Sequence, residues 1–443
     1  MTDEKVPILA LNAFEGGANA DWPDDLRRMI GRRQQSFGAG SVLFFREPLV
    51  VDHACGQYVF TTDGRRYLDL YNNVPSVGHA NPRVAEAVFR QMSTVNAHAR
   101  YLYDIVETYA ERLLATFPAP LSNVIFTCTG SEANDLALRL ARIKTGKTGV
   151  VVTRAAYHGN TAAVTEISPS SYKIGGPPDH VAVIDAPDPA IHGASVGAGF
   201  AQAVAAAIHR LEATGHGFAA FIADSIFSSD GVVDGPAGFL APVLAEVHGA
   251  GGLYIADEVQ PGFGRTGEAF WGFARHDIVP DIVTLGKPMG NGYPIAGLVT
   301  RPELLGLLNS RFGYFNTFGG TPAAAAAGLA VLDAIAEDGL QENARRVGGY
   351  MKERLLAFAE GSNFVTSVRG AGLYLGVGIG DRSPEAAVLG ERIVNGLRER
   401  GVLIGLAGAY ADVLKIRPPL CLQMADVDFF LDALSATWAE LSV

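Results

Sequence analysis

Asp281-Ile-Val-Thr-Leu-Gly-Lys287-Pro-Met-Gly-Asn-Gly-Tyr-Pro294 is an apolar run that breaks into a turn. Ile282 and Val283 lead into Gly286, Pro288, Gly290, Gly292 and Pro294. A short apolar run closed by such punctuation reads as a buried strand ending in a loop. Lys287 stands where the strand stops. Open α/β sheets bind their ligands beyond the carboxyl ends of the strands. A lysine held there among apolar and glycine residues is a candidate amine nucleophile, its pKa lowered by desolvation. Most lysines are solvated surface charges, so the rest of the chain has to shift the balance.

Upstream, strand, turn and helix alternate from Asn123 onward. Val124-Ile-Phe runs into Thr127-Cys-Thr-Gly130-Ser131-Glu-Ala-Asn134 and a helix. Val150-Val-Val-Thr153 runs into Tyr157-His158-Gly159. Ala219 to Ala223 ends at Asp224, and Leu253-Tyr-Ile-Ala256 ends at Asp257-Glu258. Apolar strands interleaved with helices imply an α/β fold with a mostly parallel, doubly wound sheet. Right-handed crossovers put all these strand ends on one edge. Ser131, Tyr157, Asp257 and Lys287, distant in sequence, are therefore expected to share one crevice.

Each of these residues has two readings when taken alone. Ser131 opens a helix whose N–H groups and positive end hold an anion such as phosphate, or it is only a helix cap. Asp257 is either hydrogen-bonded by nearby loops or holds a cation, of which a protonated pyridine nitrogen is one. Tyr157 offers a flat ring for stacking or packs in the core. His158 is polar support or nothing. Gly262-Phe-Gly-Arg-Thr-Gly267 fits the glycine spacing of a dinucleotide site, but no amphipathic helix follows it, and nicotinamide binding is discounted.

Outside this region the texture differs. Residues 1 to about 40 read as an irregular arm with a short helix around Asp24 to Arg33. Phe44 to Asp69 reads as antiparallel hairpins around Asp63-Gly64. Arg83 to Ser93 and Asp104 to Thr116 are helical by spacing. After Asn316, a long apolar helix (Ala323 to Ile335), an amphipathic one (Asn343 to Ala359), strands within Val365 to Ile379 and Val402 to Arg417, and a closing helix (Asp426 to Leu441) suggest a smaller α+β domain. The expected division is residues 1–70, an arm and part of the small domain; 71–315, the large domain; and 316–443, the C-terminal small domain.

Composition narrows the function. The 443 residues are 48% hydrophobic and 18% charged, which is a globular balance. A net charge of -11 argues against a nucleic-acid partner. Cys55, Cys128 and Cys421 have no metal or redox spacing and are expected to be small buried hydrophobes in a reducing compartment. No metal site is expected. No apolar leader follows the charged N-terminus. The alanine-rich run Ala323 to Ala336, broken by Gly328 and Asp333, falls short of the ~20 apolar residues of a membrane span. A cytoplasmic protein with no membrane partner is expected.

Taken together, Phe126 to Asn134, Ala156-Tyr-His-Gly159, Ile255-Ala-Asp-Glu-Val-Gln260 with Gly262 to Gly267, and Thr284-Leu-Gly-Lys287 resemble, in the same order, the class III aminotransferases. These are fold type I enzymes of pyridoxal 5'-phosphate, and the resemblance runs from about Gly40 to the C-terminus. It implies Lys287 as the Schiff-base lysine and general base, and Asp257 as partner of the pyridine nitrogen. It also implies Gly130 and Ser131 as the phosphate cup, Tyr157 as the stacking ring, and Gln260 as a contact to the 3'-oxygen. Asn316-Thr317-Phe-Gly-Gly320 resembles the segment whose threonine reaches the neighbouring subunit's cofactor phosphate. A homodimer with a shared site is thereby implied, with a tetramer left open.

Three departures point to a branch. Lys415, in Val413-Leu-Lys-Ile-Arg417-Pro-Pro, stands where transaminases of this class place a carboxylate-gripping arginine. Asn72-Asn73 replaces small or apolar residues, and Asp224-Ser225 replaces a Glu-Pro. A lysine is a compact point charge that suits phosphate, whereas the arginine fork suits a planar carboxylate. With these features the chain resembles the ethanolamine-phosphate phospho-lyase branch, with a sister branch acting on phosphorylated hydroxylysine close by. A small phosphorylated amine is the implied substrate, with Asn73, Lys415 and Arg417 as candidate ligands of its phosphate. The plain reading of Lys415 and Arg417 is surface charges at a strand end, which for Arg417 weighs as much as the phosphate role. An ω-amino-acid:2-oxo-acid aminotransferase is the alternative.

Overall fold

The computed structural model describes residues 13–14, 22–40, 42–311 and 313–441. Its strands form three sheets. β1 (Val51–Cys55), β2 (Tyr58–Thr61) and β3 (Arg66–Asp69) make the antiparallel meander expected around Asp63-Gly64. The large sheet holds β4 (Asn123–Thr127), β5 (Gly149–Thr153), β6 (Val181–Ile184), β7 (Phe218–Ala223), β8 (Leu253–Asp257), β9 (Ile282–Leu285) and β10 (Ala296–Thr300). Its order is β4-β10-β9-β8-β7-β5-β6. C-terminal to it lie β11 (Val365–Ala371), β12 (Tyr374–Ile379), β13 (Val402–Leu403), β14 (Gly405–Ala407) and β15 (Val413–Ile416). β13 leaves the C-terminal sheet to pair parallel with β3. The first and last segments of the chain thus build one sheet together, while β11-β12-β15-β14 form another.

Five neighbouring strands of the large sheet, β6-β5-β7-β8-β9, run parallel. They are near-continuous apolar runs because helices cover both faces; every residue of β5, β7, β8 and β9 is buried. β10, which the sequence pattern did not reveal, is antiparallel to both β9 and β4. Two antiparallel steps restore the direction, so β4 points the same way as β9. The carboxyl ends of β4, β5, β7, β8 and β9 therefore share one edge. Among the described residues no helix is long and apolar enough to cross a membrane.

Helices sit where their end signals put them. The helix Gly130–Thr145 begins in a capping box: the Thr129 side chain accepts from Glu132 N, and the Glu132 carboxylate reaches back to Thr129 N. The apolar helix Pro322–Glu337 packs on the helices Pro82–Met92 and Asp104–Leu114. A helix at Asp24–Phe37 covers and extends the expected short one; residues 1–12 and 15–21 of the expected arm lie outside the described residues. Cys128 and Cys421 are partly buried, but Cys55 is exposed, against the expectation of a buried hydrophobe: it ends the outer strand of a three-strand meander, where one face meets solvent.

The glycine-rich decoy proves to be a docking turn. Arg265, almost wholly buried, donates Nη1 to the carbonyls of Leu373 (3.0 Å) and Pro418 (2.7 Å), and Leu373 N returns a bond to Arg265 O at 3.0 Å. A Cβ on Gly267 would lie 2.6 Å from Arg345 Cα, so the turn can lie flat on the helix Leu340–Glu360 only without a side chain there. These bonds tie the large sheet to the C-terminal sheet.

Candidate active site

β9 ends at Leu285, and Lys287 opens the short 3-10 turn that follows. Its side chain is largely buried at the sheet edge. Desolvation, reinforced by the Arg417 cation and opposed by Asp257 and Asp224, lowers its pKa to about 8 from the usual 10.5. On the adjacent strand β8, Asp257 is 4% exposed. His158 Nδ1 lies 2.7 Å from Asp257 Oδ2. A carboxylate there can only accept, which assigns the proton to Nδ1. Asn134 Nδ2 donates to the same oxygen at 3.0 Å, and Val259 N to Oδ1 at 3.1 Å. Asn134 is itself fixed, accepting from Thr284 Oγ1 (2.7 Å) and donating to His158 O (2.7 Å). A hydrogen-bonded frame from three strand ends and one helix therefore holds a single buried carboxylate in place.

Gly130 and Ser131 open the helix behind β4, and Ser131 Oγ accepts from Asn160 N at 3.1 Å. Gly159 has φ +139°, and a Cβ there would lie 2.4 Å from Ser131 Oγ. Only glycine lets the Tyr157–Gly159 loop lie on the helix start. Tyr157 is half-buried there, its hydroxyl pKa raised by desolvation. Lys287, Asp257, Tyr157, Gly130 and Ser131 are thus brought to one edge. Thr317 is not among them: it is exposed, in a segment pinned beside Cys128 by Asn316 Oδ1, which accepts from Gly319 N at 2.9 Å.

Small-domain residues close the other side. Gln260 Nε2 donates to Ser228 Oγ at 2.9 Å, and its Oε1 receives Tyr374 OH (2.9 Å), Arg417 Nη1 (2.5 Å) and Asn73 Nδ2 (3.3 Å). Arg417 also stacks on the Tyr71 ring, 4.7 Å from its centroid, and its buried Nε has no partner. Lys415, on β15, is 3% exposed and makes no hydrogen bond or ion pair among the described residues; its ammonium stands 5.8 Å from the Tyr374 ring centroid. Desolvation lowers the Lys415 pKa well below the usual value; Arg417 and Lys287 add to this, and Asp224 and Asp230 oppose it. Asp224 accepts from Ile226 N and Ser228 N, each at 2.8 Å, and desolvation raises its pKa. Neither Lys415 nor Arg417 is a surface charge.

Donors outnumber acceptors here. The Gln260 amide oxygen, with two lone pairs, faces three donors; Asn73 Oδ1 takes a long second bond from Arg417 Nη1 (3.4 Å), Arg417 Nε has no acceptor, and the Lys415 amine makes no hydrogen bond among the described residues. Burying such donors unpaired is costly, and an anion with several oxygens would satisfy them. Asn134, Tyr374 and Ser228 gained no role from the sequence, His158 was read only as polar support or nothing, and Asp224 only as a departure at a strand end. His158 follows Tyr157 at a strand end, and that position was its signal. Tyr374 reads as a core aromatic of a strand and gave none.

An amine, a buried carboxylate, a half-buried ring and a helix start together fit a group that carries an aldehyde, a ring nitrogen and a phosphate. Asp257 Oδ1 accepts a single N–H, from Val259, which leaves it capacity for a further donor.

The family model "Aminotransferase class-III" matches residues 45–438. The chain is 39% identical to the alanine–glyoxylate aminotransferase 2-like protein of Drosophila melanogaster, over 91% of this chain and 85% of that one. It is 34% identical to ethanolamine-phosphate phospho-lyase homolog 1 of Caenorhabditis elegans, over 89% of each. A phospholyase from Arthrobacter solved in complex with phosphoethanolamine superposes with a TM-score of 0.88 at 42% identity, covering 93% of this chain and 99% of that one. The fold, the strand-end cluster and these likenesses agree: the chain belongs to the class III aminotransferase family, enzymes that depend on pyridoxal phosphate.

Proposed function

We propose that the protein is a phospho-lyase that eliminates phosphate from O-phosphoethanolamine to give acetaldehyde, ammonia and phosphate. One observation carries this reading: the donor-rich pocket of Asn73, Lys415, Arg417 and Tyr374, which has too few acceptors of its own. Lys415 in place of an arginine supports it, because a point charge suits phosphate. The likeness to the phospholyase solved with phosphoethanolamine supports it as well.

In this reading Gly130 and Ser131 would hold the cofactor phosphate, Tyr157 would pack on the ring, Gln260 would contact its 3'-oxygen, and Asp257 would keep its nitrogen protonated. Pyridoxal phosphate, when bound, would supply an electron sink beside the amine-bearing carbon. Lys287 would hold the cofactor through its amine and would serve as the base that takes the proton from that carbon. Asn73, Lys415 and Arg417 hold the substrate phosphate in line to leave.

The partner in this reading is a second copy of the chain, with Thr317 of one copy serving the cofactor phosphate of the other. Phe89, Tyr101, Leu102 and Phe318, the last beside Thr317 in sequence, are large apolar side chains left exposed, which supports such a contact. Sedimentation should give at least twice the chain mass of 46.7 kDa; a monomer would remove Thr317 from the site. We place the protein in the cytoplasm and set its domain limits at residues 70 and 315.

The second reading is an ω-amino-acid:2-oxo-acid aminotransferase, favoured by the aminotransferase relative at 39% identity. The purified enzyme, given phosphoethanolamine and no keto acid, should release phosphate and acetaldehyde in equal amounts. No release, alongside turnover of β-alanine with pyruvate, would reverse the order. Phosphate release from phosphorylated hydroxylysine alone would move the substrate to the sister branch.

A further inference from the structure

We propose that Lys415 is the proton donor to the departing phosphate, a catalytic residue and not only a binding charge; this rests on the phospho-lyase reading above. The leaving group sets the requirement. Breaking the carbon–oxygen bond of a phosphate monoester dianion, with no proton delivered, expels a phosphate trianion, which is too basic to leave readily. Delivered a proton, it leaves as hydrogen phosphate. The step then balances. Lys287 takes the proton from the amine-bearing carbon, and that electron pair forms the carbon–carbon double bond. The carbon–oxygen pair stays on oxygen, which takes a proton from Lys415 Nζ. Lys287 ends charged and Lys415 neutral, and one proton passing back from Lys287 restores both.

Among the groups around the pocket, Lys415 suits the role best. Arg417 is a donor that cannot give up its proton. Tyr374 OH is spent on Gln260 Oε1, and Asn73 is an amide. Asp224 is held as an acceptor by two backbone N–H groups, and Asp230 by Ala155 N and Thr153 Oγ1. Lys415 is buried, with no hydrogen-bonded partner among the described residues, on the strand that ends just before Arg417. The groups that bear on it electrostatically are Arg417, Lys287, Asp224 and Asp230, with the Tyr374 ring from β12 beneath its ammonium. Its lowered pKa makes it a better acid than a solvated lysine.

The test compares two leaving groups. Sulfate, the anion of a strong acid, departs without a proton, so ethanolamine O-sulfate needs no general acid. Lys415→Arg keeps the charge and cannot donate. It should lose about 10²- to 10⁴-fold in kcat for phosphate release while largely retaining sulfate release, with KM for phosphoethanolamine little changed. Lys415→Met should lose phosphate release too and also raise KM. The visible absorbance of bound cofactor should be unaltered in both variants, which separates loss of the acid from a damaged site. Wild-type phosphate release should fall at high pH as Lys415 loses its proton, and sulfate release should not. Equal losses on both substrates, or no loss on phosphate, would overturn the proposal. Wild-type enzyme that releases sulfate but no phosphate would overturn the phospho-lyase reading itself, and this inference with it.

Discussion

Lys287→Ala will leave a folded protein that neither fixes its cofactor nor, on the proposed reading, releases phosphate, with turnover down by about 10⁴-fold or more, because nucleophile and base would be one side chain. Visible absorbance and phosphate release should vanish together. If either survived, another amine would be at work, and among the described residues Lys415 is the other lysine of the pocket. The same burial has a pH signature in the cofactor-free protein. The fold favours the neutral amine, with a pKa near 8 against 10.5 for an ordinary lysine. Between those values the folded protein binds fewer protons than the unfolded chain, so stability rises with pH. Below about pH 8 the charged amine costs the fold up to about 3 kcal/mol. Lys287→Met should therefore stabilise the cofactor-free protein at neutral pH, with the gain shrinking as pH climbs toward 10.5. Urea midpoints across that range measure it, and a gain independent of pH would mean that packing, not charge, was responsible.

Asp257→Asn should cost about 10²- to 10³-fold in turnover with a small change in KM, because a neutral amide cannot keep a ring nitrogen protonated. The substitution is isosteric but not neutral for the frame. Asp257 Oδ2 accepts from both His158 Nδ1 and Asn134 Nδ2, and an amide NH2 in its place would face two donors. Turned the other way, the amide would keep both bonds but set its NH2 against Val259 N, so either orientation leaves at least one buried donor unpaired, at about 1 to 3 kcal/mol. The far-downfield imidazole proton expected of His158 beside a carboxylate should disappear from the NMR spectrum as activity falls. Unchanged turnover would remove Asp257 from the chemistry.

The sequence disclosed the strand-end groups because each lies where an apolar run stops, and a parallel sheet buried on both faces makes such stops conspicuous. Lys287 after β9, Asp257 ending β8 and Ser131 after β4 are all of this kind. β10 escaped because Ala296 to Thr300 follows a turn rich in glycine and proline, with no second turn signal to mark it off. The pocket around Gln260 escaped for a different reason. Asn73, Gln260, Tyr374 and Arg417 come from four separate segments and meet only once the two sheets dock. No local spacing encodes that meeting. Lys415 was noticed for its difference from a familiar arginine, but its isolation from every acceptor is a tertiary fact. The glycine-rich turn was set aside as a nucleotide loop, and its work of gripping Leu373 and Pro418 through Arg265 could not be read before those carbonyls had an address.

The antiparallel strand β10 also governs the order of assembly. β4 lies at the border of the large sheet, and β10 is its one neighbour there, with Asn123 opposite Thr300. During synthesis β4 emerges long before β10 and must wait, an apolar ribbon with open backbone groups, until most of the sheet exists. Such distant pairings slow folding and leave intermediates that stick to one another. The helix start that follows β4 is thus among the last parts of the sheet edge to be fixed, and a nascent chain would be most vulnerable to aggregation in the interval before Thr300 leaves the ribosome.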